Sequence, residues 1–433
     1  MRIAVVGTGY VGIVAAVCWA DLGHHVSCID VDARKIENIN NGIAPIFENG
    51  LETKLRKVIG EKRLEAYRDY EPVRGADVVF ISVGTPSQTD GTMSVEHVKS
   101  AAESTARHLA SEFTVIVVRS TVVPGTTEAL GARIEQISHK KSGIDFGLAM
   151  IPEFLREGNA IGDFETPDRI VIGCGEEKTK AILAKLHESF GCPKIFVGIK
   201  TAEMIKYASN SFLACKVSFA NEMAGICEKS GMDVDEVMRG VGSDKRIGEK
   251  FLVAGAGFGG SCFPKDVRAI IQYAKSVGSE AMILECVMDA NRRQQTKLVE
   301  MLRSRIGNVG GKTIAVLGLA FKAQTDDIRE SPAMEAVLAL KGLGANVRAY
   351  DPQAMERAKA RIREIYYAKD WEDCLQGADA ALLLTRWPQF ERDAREYQRL
   401  LGRSPLFDAQ RVLSAHEAKE AGLEYHCIGR GQA

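Results

Sequence analysis

Between an apolar β-branched run, Arg2 to Val6, and an apolar helical stretch, Val11 to Leu22, lies the hexapeptide Gly7-Thr8-Gly9-Tyr10-Val11-Gly12. This is G-x-G-x-x-G in a strand–turn–helix context, and few architectures accommodate it. Gly7 permits the tight turn, Gly9 lets the backbone approach a pyrophosphate, and Gly12 allows close helix–strand packing. The pyrophosphate would rest on the helix N-terminus, where unpaired N–H groups and the helix dipole favour an anion. Gly23 stops the helix, and a second strand, Val26 to Asp30, ends in an acid. Asp30 would accept from a ribose 2′-hydroxyl and repel a 2′-phosphate, so NAD is expected rather than NADP. The runs Val78 to Val83 and Val115 to Val118 are continuously apolar, as in strands of a parallel sheet buried on both faces. Such β-α-β-α order implies a doubly wound α/β domain.

Past residue 200 the pattern changes. Thr201 to Ser230 has no Pro and no Gly until Gly225, and Gly231 follows as a C′ residue. Apolar residues cover more than one stripe of this long helix, so it is expected to be buried, partly by a second subunit. Ala281 to Arg305 reads as another uninterrupted helix. A new α/β unit starts at Lys312, with strands at Thr313–Leu317, Asn346–Tyr350 and Ala380–Thr385 and a helix opened by Ser331-Pro332. The expected fold is α/β, with two doubly wound Rossmann-like domains joined by a long central helix and a helical middle region. The corresponding domains are 1–200 for NAD, 201–305 for dimerisation, and 306–433 as the second α/β domain.

Charge and cysteine usage narrow the function classes. Among 433 residues, 56 Lys and Arg balance 57 Asp and Glu, for a net charge of -1. That balance gives no basic face for a nucleic acid. No apolar run approaches the roughly 20 residues that span a bilayer, so no membrane association is expected. Met1 to Gly7 runs straight into a strand signal, so no secretory leader is expected. The ten cysteines form no Cys-x-x-Cys pair and suit no zinc site, and no metal is expected. Scattered thiols in a large chain suggest a reducing compartment, hence the cytoplasm.

Four clusters could carry chemistry. Cys262 lies in the Gly-rich octet Gly259-Gly260-Ser261-Cys262-Phe263-Pro264-Lys265-Asp266. There Lys265 could raise its thiolate fraction and Asp266 could act as a base, although a lone Cys is more often an inert core residue. In Pro152-Glu153-Phe154-Leu155-Arg156-Glu157-Gly158, after a strand ending at Ile151, two acids four apart could orient a water or take a proton. A solvated charged turn is the alternative. Thr121, after Ser120 and the strand before it, could touch a nicotinamide or a reacting oxygen, or else serve at a helix N-cap. Lys206 and Asn210 share one face of the long helix and could stabilise an oxyanion. The alternative for Lys206 is a surface chain with its head in water.

Together with Gly84-Thr85-Pro86, RSTVVPGT from Arg119, AEMIKYASN, KRIGEKF, and GLAFKAQTDDIRESP from Gly318 to Pro332, these strings resemble the UDP-glucose/GDP-mannose dehydrogenase family. They stand in the family's order from residue 1 to about 352. The resemblance implies an NAD-dependent, four-electron oxidation of a nucleotide sugar at C6 through a cysteine thiohemiacetal and thioester. By the same resemblance Cys262 is the nucleophile, Lys206 stabilises oxyanions, and Asn210 binds the C6 oxygen. Asp266 and Thr121 act with a water, which Glu153 and Glu157 support. The implied NAD site comprises Gly7, Gly9, Tyr10, Val11, Gly12, Asp30, Lys35, Thr85, Pro86, Thr121, Glu157, Lys265 and Arg329. The implied sugar-nucleotide site comprises Glu153, Phe154, Leu155, Arg156, Glu157, Lys206, Asn210, Phe251, Leu252, Val253, Ala254, Gly255, Gly259, Phe321 and Lys322. It also takes Arg246 from a neighbouring subunit, which implies a homodimer through the central helix and leaves room for a higher oligomer.

LREG, KRIG and GGSCFPKD lean towards UDP-glucose as the substrate, while RSTVVPGT and GTPSQTDG lean towards GDP-mannose. UDP-glucose is the expected substrate, with GDP-mannose or another UDP-sugar as the alternative. Four residues at three sites depart from the family pattern: Ile151 where Asn usually precedes Pro-Glu-Phe, Ala409-Gln410 where Gly-Arg usually follows Asp408, and Arg386 where Glu is usual.

Overall fold

The computed structural model describes residues 1–431. The chain divides into two compact units, Met1–Ser209 with Arg268–Tyr273, and Asn210–Val267 with the chain from Ala274 onward.

The first unit is built on an eight-stranded sheet. Its strands are β1 (Arg2–Val6), β2 (His25–Ile29), β3 (Leu64–Tyr67), β4 (Val78–Ile81), β5 (Thr114–Val118), β6 (Phe146–Met150), β7 (Ile170–Cys174) and β8 (Lys194–Val197). They are ordered β3-β2-β1-β4-β5-β6-β7-β8. Val6 is in register with Ile29 on one side and Ile81 on the other, so strand order reverses at β1. That reversal leaves a crevice at the carboxyl ends of β1 and β4, where open α/β sheets bind ligands. β4, β5 and β6 are buried along their whole length, which is why they read as unbroken apolar runs. One pairing departs from a purely parallel sheet: β7 runs antiparallel to β6. No crossover over the sheet separates the two, and a chain that returns directly beside its own strand must run the other way.

Helix α1 (Tyr10–Asp21) buries every residue from Gly12 to Ala20, with Trp19 among the largest fully buried side chains. The other helices used below are α2 (Thr126–Ser138), α3 (Ala160–Glu165), α4 (Ile199–Ser230), α5 (Phe263–Ser276), α6 (Met282–Ile306) and α7 (Pro332–Gly342). α4 begins two residues before the stretch that the sequence marks and stops where expected, with Gly231 at φ +71°.

The second unit carries a six-stranded, wholly parallel sheet. Its strands are β9 (Thr313–Leu317), β10 (Asn346–Tyr350), β11 (Tyr366–Tyr367), β12 (Ala380–Leu383), β13 (Leu406–Asp408) and β14 (Tyr425–Cys427). Their order is β11-β10-β9-β12-β13-β14. Ser331 caps α7 by accepting from Ala333 N–H, and Pro332 takes the first helical position.

The two sheets share a local device without sharing sequence. After β1, Gly7 at φ +94° donates to Ile29 O, and Asp30 accepts from Thr8 N–H. After β9, Gly318 at φ +92° donates to Tyr350 O, and Asp351 accepts from Leu319 and Ala320 N–H. The strand beside each glycine ends early for the same reason. A Cβ on Gly7 would lie 2.8 Å from Ser82 O, and one on Gly318 would lie 2.4 Å from Thr385 Cβ. The chain at Ser82 and at Thr385 therefore leaves the sheet to close over a bare glycine, and β4 and β12 are shorter than their apolar runs.

Candidate active site

The glycine-rich turn has one glycine for each of three jobs. Gly7 adopts a left-handed conformation that a side chain resists, and a Cβ on Gly12 would lie 1.8 Å from Gly7 O. A Cβ on Gly9 would meet nothing within 4 Å. Packing within the protein therefore asks for Gly7 and Gly12 but not for Gly9, whose bareness suits a ligand against the backbone. Gly9 is also the N-cap of α1, and no side chain caps that end. Uncapped N–H groups beside open space form the cradle that a dinucleotide pyrophosphate needs. Val11 lies in the first turn of α1, just past this cradle.

Asp30 is engaged by its own neighbours. Its Oδ2 accepts from the Thr8 hydroxyl at 2.6 Å and N–H at 2.8 Å, Oδ1 accepts from Asp32 N–H, and Lys35 Nζ stands 3.7 Å away. Burial would raise the Asp30 carboxyl, but these donors and the Lys35 charge outweigh it and hold it below the usual range. An anion is thus fixed at the tip of β2, next to the turn.

Thr85 is buried after β4, and Pro86 O accepts from Ser94 N–H. Thr121 follows β5, and its neighbour Ser120 donates to Val83 O at 2.7 Å. The N-cap of α2 is Gly125, so neither hydroxyl serves as that cap.

Glu153 and Lys206 form a buried pair in the first unit. Lys206 is 3% exposed and donates to Glu153 O at 2.6 Å and to Glu153 Oε1 at 3.1 Å. The reading of Lys206 as a surface chain is excluded. Leu155 N–H donates to Glu153 Oε2 at 2.6 Å, folding the loop around its own carboxylate. Burial pushes the Glu153 carboxyl up, but Lys206, Leu155 N–H and Arg119 outweigh it and hold it below its ordinary value. Glu153 is therefore a persistent anion, suited to orienting a donor rather than to taking a proton. Phe154 lies under the Arg169 guanidinium at 4.1 Å, and Arg156 forks onto Asp163. Glu157 is half-buried, and the next residue, Gly158, donates to Tyr10 Oη at 2.8 Å and to Glu48 at 2.7 Å. The loop after β6 is thereby tied to the first residue of α1.

In the second unit, Asp266 Nα donates to Cys262 O at 2.8 Å, so Cys262 opens α5. Asp266 is 1% exposed. Its Oδ2 accepts from Asn210 Nδ2 at 2.6 Å and its Oδ1 from Lys265 Nζ at 2.5 Å. The Lys265 ammonium is thus matched to Asp266, and Cys262 stands at the positive end of the α5 dipole. All ten cysteines, each among the described residues, are thiols. The turn before Cys262 lies against the loop after β9. A Cβ on Gly259 would be 2.2 Å from Glu330 O, one on Gly260 would be 2.7 Å from the Phe321 ring, and Gly260 N–H donates to Arg329 O. Asp327 grips the Arg329 guanidinium through both oxygens, and Lys322 Nζ lies 5.6 Å from the Phe321 ring centre.

The segment from Phe251, at φ +68°, to Phe258 is pinned by side chains that the sequence did not flag. Asn221 accepts from Gly255 N–H and Gln294 donates to Gly255 O. Asn291 bonds both N–H and O of Phe258, and Arg411 donates to Ala254 O. Leu252 and Ala254 point into the core while Val253 is exposed. Glu48 was likewise not flagged. For Asn221, Asn291 and Gln294 the general signal is a polar side chain at a helix position that periodicity assigns to the core, which marks burial but not the partner; Glu48 and Arg411 lie outside helices and carry no such signal.

Not every candidate joins a cluster. Arg246 has an 89% exposed side chain and forks onto Asp244 two residues away. Of the three departures, Ile151 is buried in the apolar core and Arg386 pairs with Glu391. Gln410 donates to Leu384 O, and its amide lies 3.6 Å from where a Gly255 Cβ would be. Among the described residues no group of three or more His, Cys, Asp or Glu gathers that could hold a metal ion.

Comparison with known proteins agrees with this anatomy. Residues 1–191 match the NAD binding domain model of the UDP-glucose/GDP-mannose dehydrogenase family, 200–293 its central domain, and 315–415 its UDP binding domain. The UDP-glucose 6-dehydrogenase YwqF of Bacillus subtilis is 45% identical over 99% of this chain and 98% of its own. The structure of a UDP-glucose dehydrogenase from Pyrobaculum islandicum superposes with a TM-score of 0.93 at 39% identity, covering 99% of this chain and 98% of that one. A GDP-mannose dehydrogenase from Pseudomonas aeruginosa, at 33% identity and coverage of 99% and 100%, gives a TM-score of 0.57.

Proposed function

The chain belongs to the UDP-glucose/GDP-mannose dehydrogenase family, and we propose that it oxidises UDP-glucose to UDP-glucuronate with NAD, in two steps at one carbon. The observation that carries the reading is Cys262 at the opening of α5, one helical turn before a buried Asp266 that Asn210 and Lys265 both engage. Identities of 45% and 39% to UDP-glucose enzymes, against 33% to a GDP-mannose dehydrogenase, support glucose over mannose nucleotides.

When bound, NAD supplies the hydride acceptor for both steps. The C6 hydroxyl loses its proton through a water held by Asp266 and Thr121, and C6 becomes an aldehyde as its hydride departs. An aldehyde has no leaving group, so it cannot be oxidised further until a nucleophile adds. The Cys262 sulfur forms a bond to C6, and the carbonyl pair moves onto oxygen. Lys206 and Asn210 stabilise that oxyanion. Loss of the second hydride leaves a thioester, water adds, and the C–S bond breaks to give a carboxylate and the Cys262 thiol. Glu153, ionised throughout, and Glu157 orient the water.

The finer organisation belongs to the same reading. Residues 1–200, 201–305 and 306–433 serve NAD, dimer and sugar nucleotide respectively. Two copies pair through α4, where Phe212, Phe219 and Ile226 are exposed at seven-residue spacing on one stripe. Arg246, exposed beside Asp244, serves the partner. No helix among the described residues is long and apolar enough to cross a membrane, and the enzyme works in the cytoplasm. The test is a panel of UDP- and GDP-sugars with NAD, following the reduced cofactor. Two reduced cofactors per UDP-glucose are expected; a ratio of one, or a preference for GDP-mannose, would overturn the assignment.

A further inference from the structure

Glu203 is a buried acid with no role in the reaction just described. It lies in the first part of α4, is 0% exposed, and accepts from two backbone N–H groups where the loop after β5 enters α2, one at the N-cap and one in the first turn. Gly125 N–H donates to Oε2 at 2.6 Å, and Thr127 N–H donates to Oε1 at 2.8 Å. Gly125 is left-handed, at φ +96°, so the chain turns sharply where the carboxylate holds it.

Three residues further along α4, Lys206 holds Glu153 O. Positions three apart share a helix face. The loops leaving the adjacent strands β5 and β6 are therefore both fastened to one face of one helix, the first by Glu203 and the second by Lys206. Thr121 sits in the first loop. Its upstream anchor is the Ser120 hydroxyl on Val83 O, and its downstream anchors are the two bonds to Glu203. Between them the turn is tightened by Thr126, which donates through its hydroxyl and its N–H to Val123 O. Release of the downstream anchor loosens the segment between Ser120 and Gly125, which carries one hydroxyl of the proposed chemistry and is otherwise held by the buried Val122.

We propose that Glu203 is a positioning residue, which registers the Thr121 loop against α4 so that Thr121 is held where the proton transfer needs it. The inference rests on the role of Thr121 given above. A carboxylate fits the task because it offers two acceptor oxygens to two N–H donors. An amide in its place would satisfy one donor and set its own N–H group against the other. Burial raises the Glu203 carboxyl, and the bonds from Gly125 and Thr127 oppose that rise.

The experiment compares Glu203→Gln, Glu203→Ala, Thr121→Ala and the double variant Thr121→Ala/Glu203→Gln by steady-state kinetics, with NAD binding by calorimetry. Glu203→Ala is expected to lower kcat about tenfold, since a displacement on the order of 1 Å is enough to do so. Glu203→Gln should fall between it and the wild type, with KM for UDP-glucose and affinity for NAD within about twofold in both. In the Thr121→Ala background, Glu203→Gln should cost nothing further in kcat. An additive loss in the double variant, a fall in NAD affinity that parallels kcat, or failure of both Glu203 variants to fold would make the contact merely structural and overturn the proposal. Thr121→Ala at the wild-type rate would remove Thr121 and this inference while leaving the oxidation intact. A wild-type chain inactive on every nucleotide sugar would remove the functional reading itself.

Discussion

Asn210 on α4 donates its side-chain amide to Asp266 on α5 at 2.6 Å, joining two buried polar groups 56 residues apart in the chain. Lys265 reaches the other carboxylate oxygen, so Asp266 is a charge with a partner on each side. Asp266→Asn should keep the shape but leave one acceptor oxygen for two donors, Asn210 and Lys265. A kcat loss of about a hundredfold or more is expected, the scale of lost general-base assistance. KM for UDP-glucose should change little, as initial-rate kinetics would reveal. Asn210→Ala should cost about 1–3 kcal/mol of stability by leaving a buried acceptor unmet, measured by the denaturation midpoint.

Cys262 divides the reaction in two. Cys262→Ser should still permit the first oxidation, because an alcohol needs no covalent help to lose hydride. The second should stop, because the hydroxyl is a far weaker nucleophile than the thiolate. Mass spectrometry of the sugar nucleotide should find no uronate after prolonged incubation, and rapid mixing should find no more than one reduced cofactor per site. Undiminished uronate would return Cys262 to the ordinary run of inert cysteines.

The Lys206–Glu153 pair makes a prediction in pH. In the wild type the Glu153 carboxyl is held low, so its contribution to stability is present above the ordinary carboxylate range and is lost as pH falls through the depressed value. Lys206→Met removes the main opposing charge, and burial then dominates and raises the carboxyl. The variant should lose about 3–5 kcal/mol near neutrality, the cost of stranding a buried charge. It should regain part of that on acidification through the carboxylate range, whereas the wild type weakens. Urea titrations at several pH values would show the two slopes; parallel slopes would mean that Lys206 does not govern Glu153.

Asp30 is expected to serve twice. Replacement by Ala removes both the proposed ribose acceptor and the anchor for Thr8. NAD affinity should fall about tenfold or more, the worth of one or two charged hydrogen bonds. The ratio of kcat/KM for NAD over NADP should fall with it. A variant that binds NAD weakly at an unchanged ratio would leave Asp30 only its structural task.

Several of these residues were legible in the chain, because their signals are short-range. Gly7, Gly9 and Gly12 sit at offsets that a strand–turn–helix crossing demands, and the geometry separates their roles. Apolar runs at β4 and β5 announced strands buried on both faces, and those at β1 and β9 announced strands. The ends of β4 and β12 did not, because each is cut short by a glycine turn from elsewhere in the chain. The short strands β3, β8 and β11 were illegible for a different reason: partly exposed residues leave no continuous apolar run.

By itself the sequence determined where the backbone turns, which segments are helix or buried strand, and which residues are chemically able to act. Those properties follow from sterics and from the spacing of apolar side chains over a few residues. Only the tertiary structure decided what each polar group meets: Asp266 with Asn210, Glu153 with Lys206, Glu48 with Gly158, Glu203 with Gly125. A buried carboxylate must find a donor, but any N–H in the chain satisfies that demand equally well. The choice among them rests on which loops and helices each unit folds together, and no local spacing encodes it.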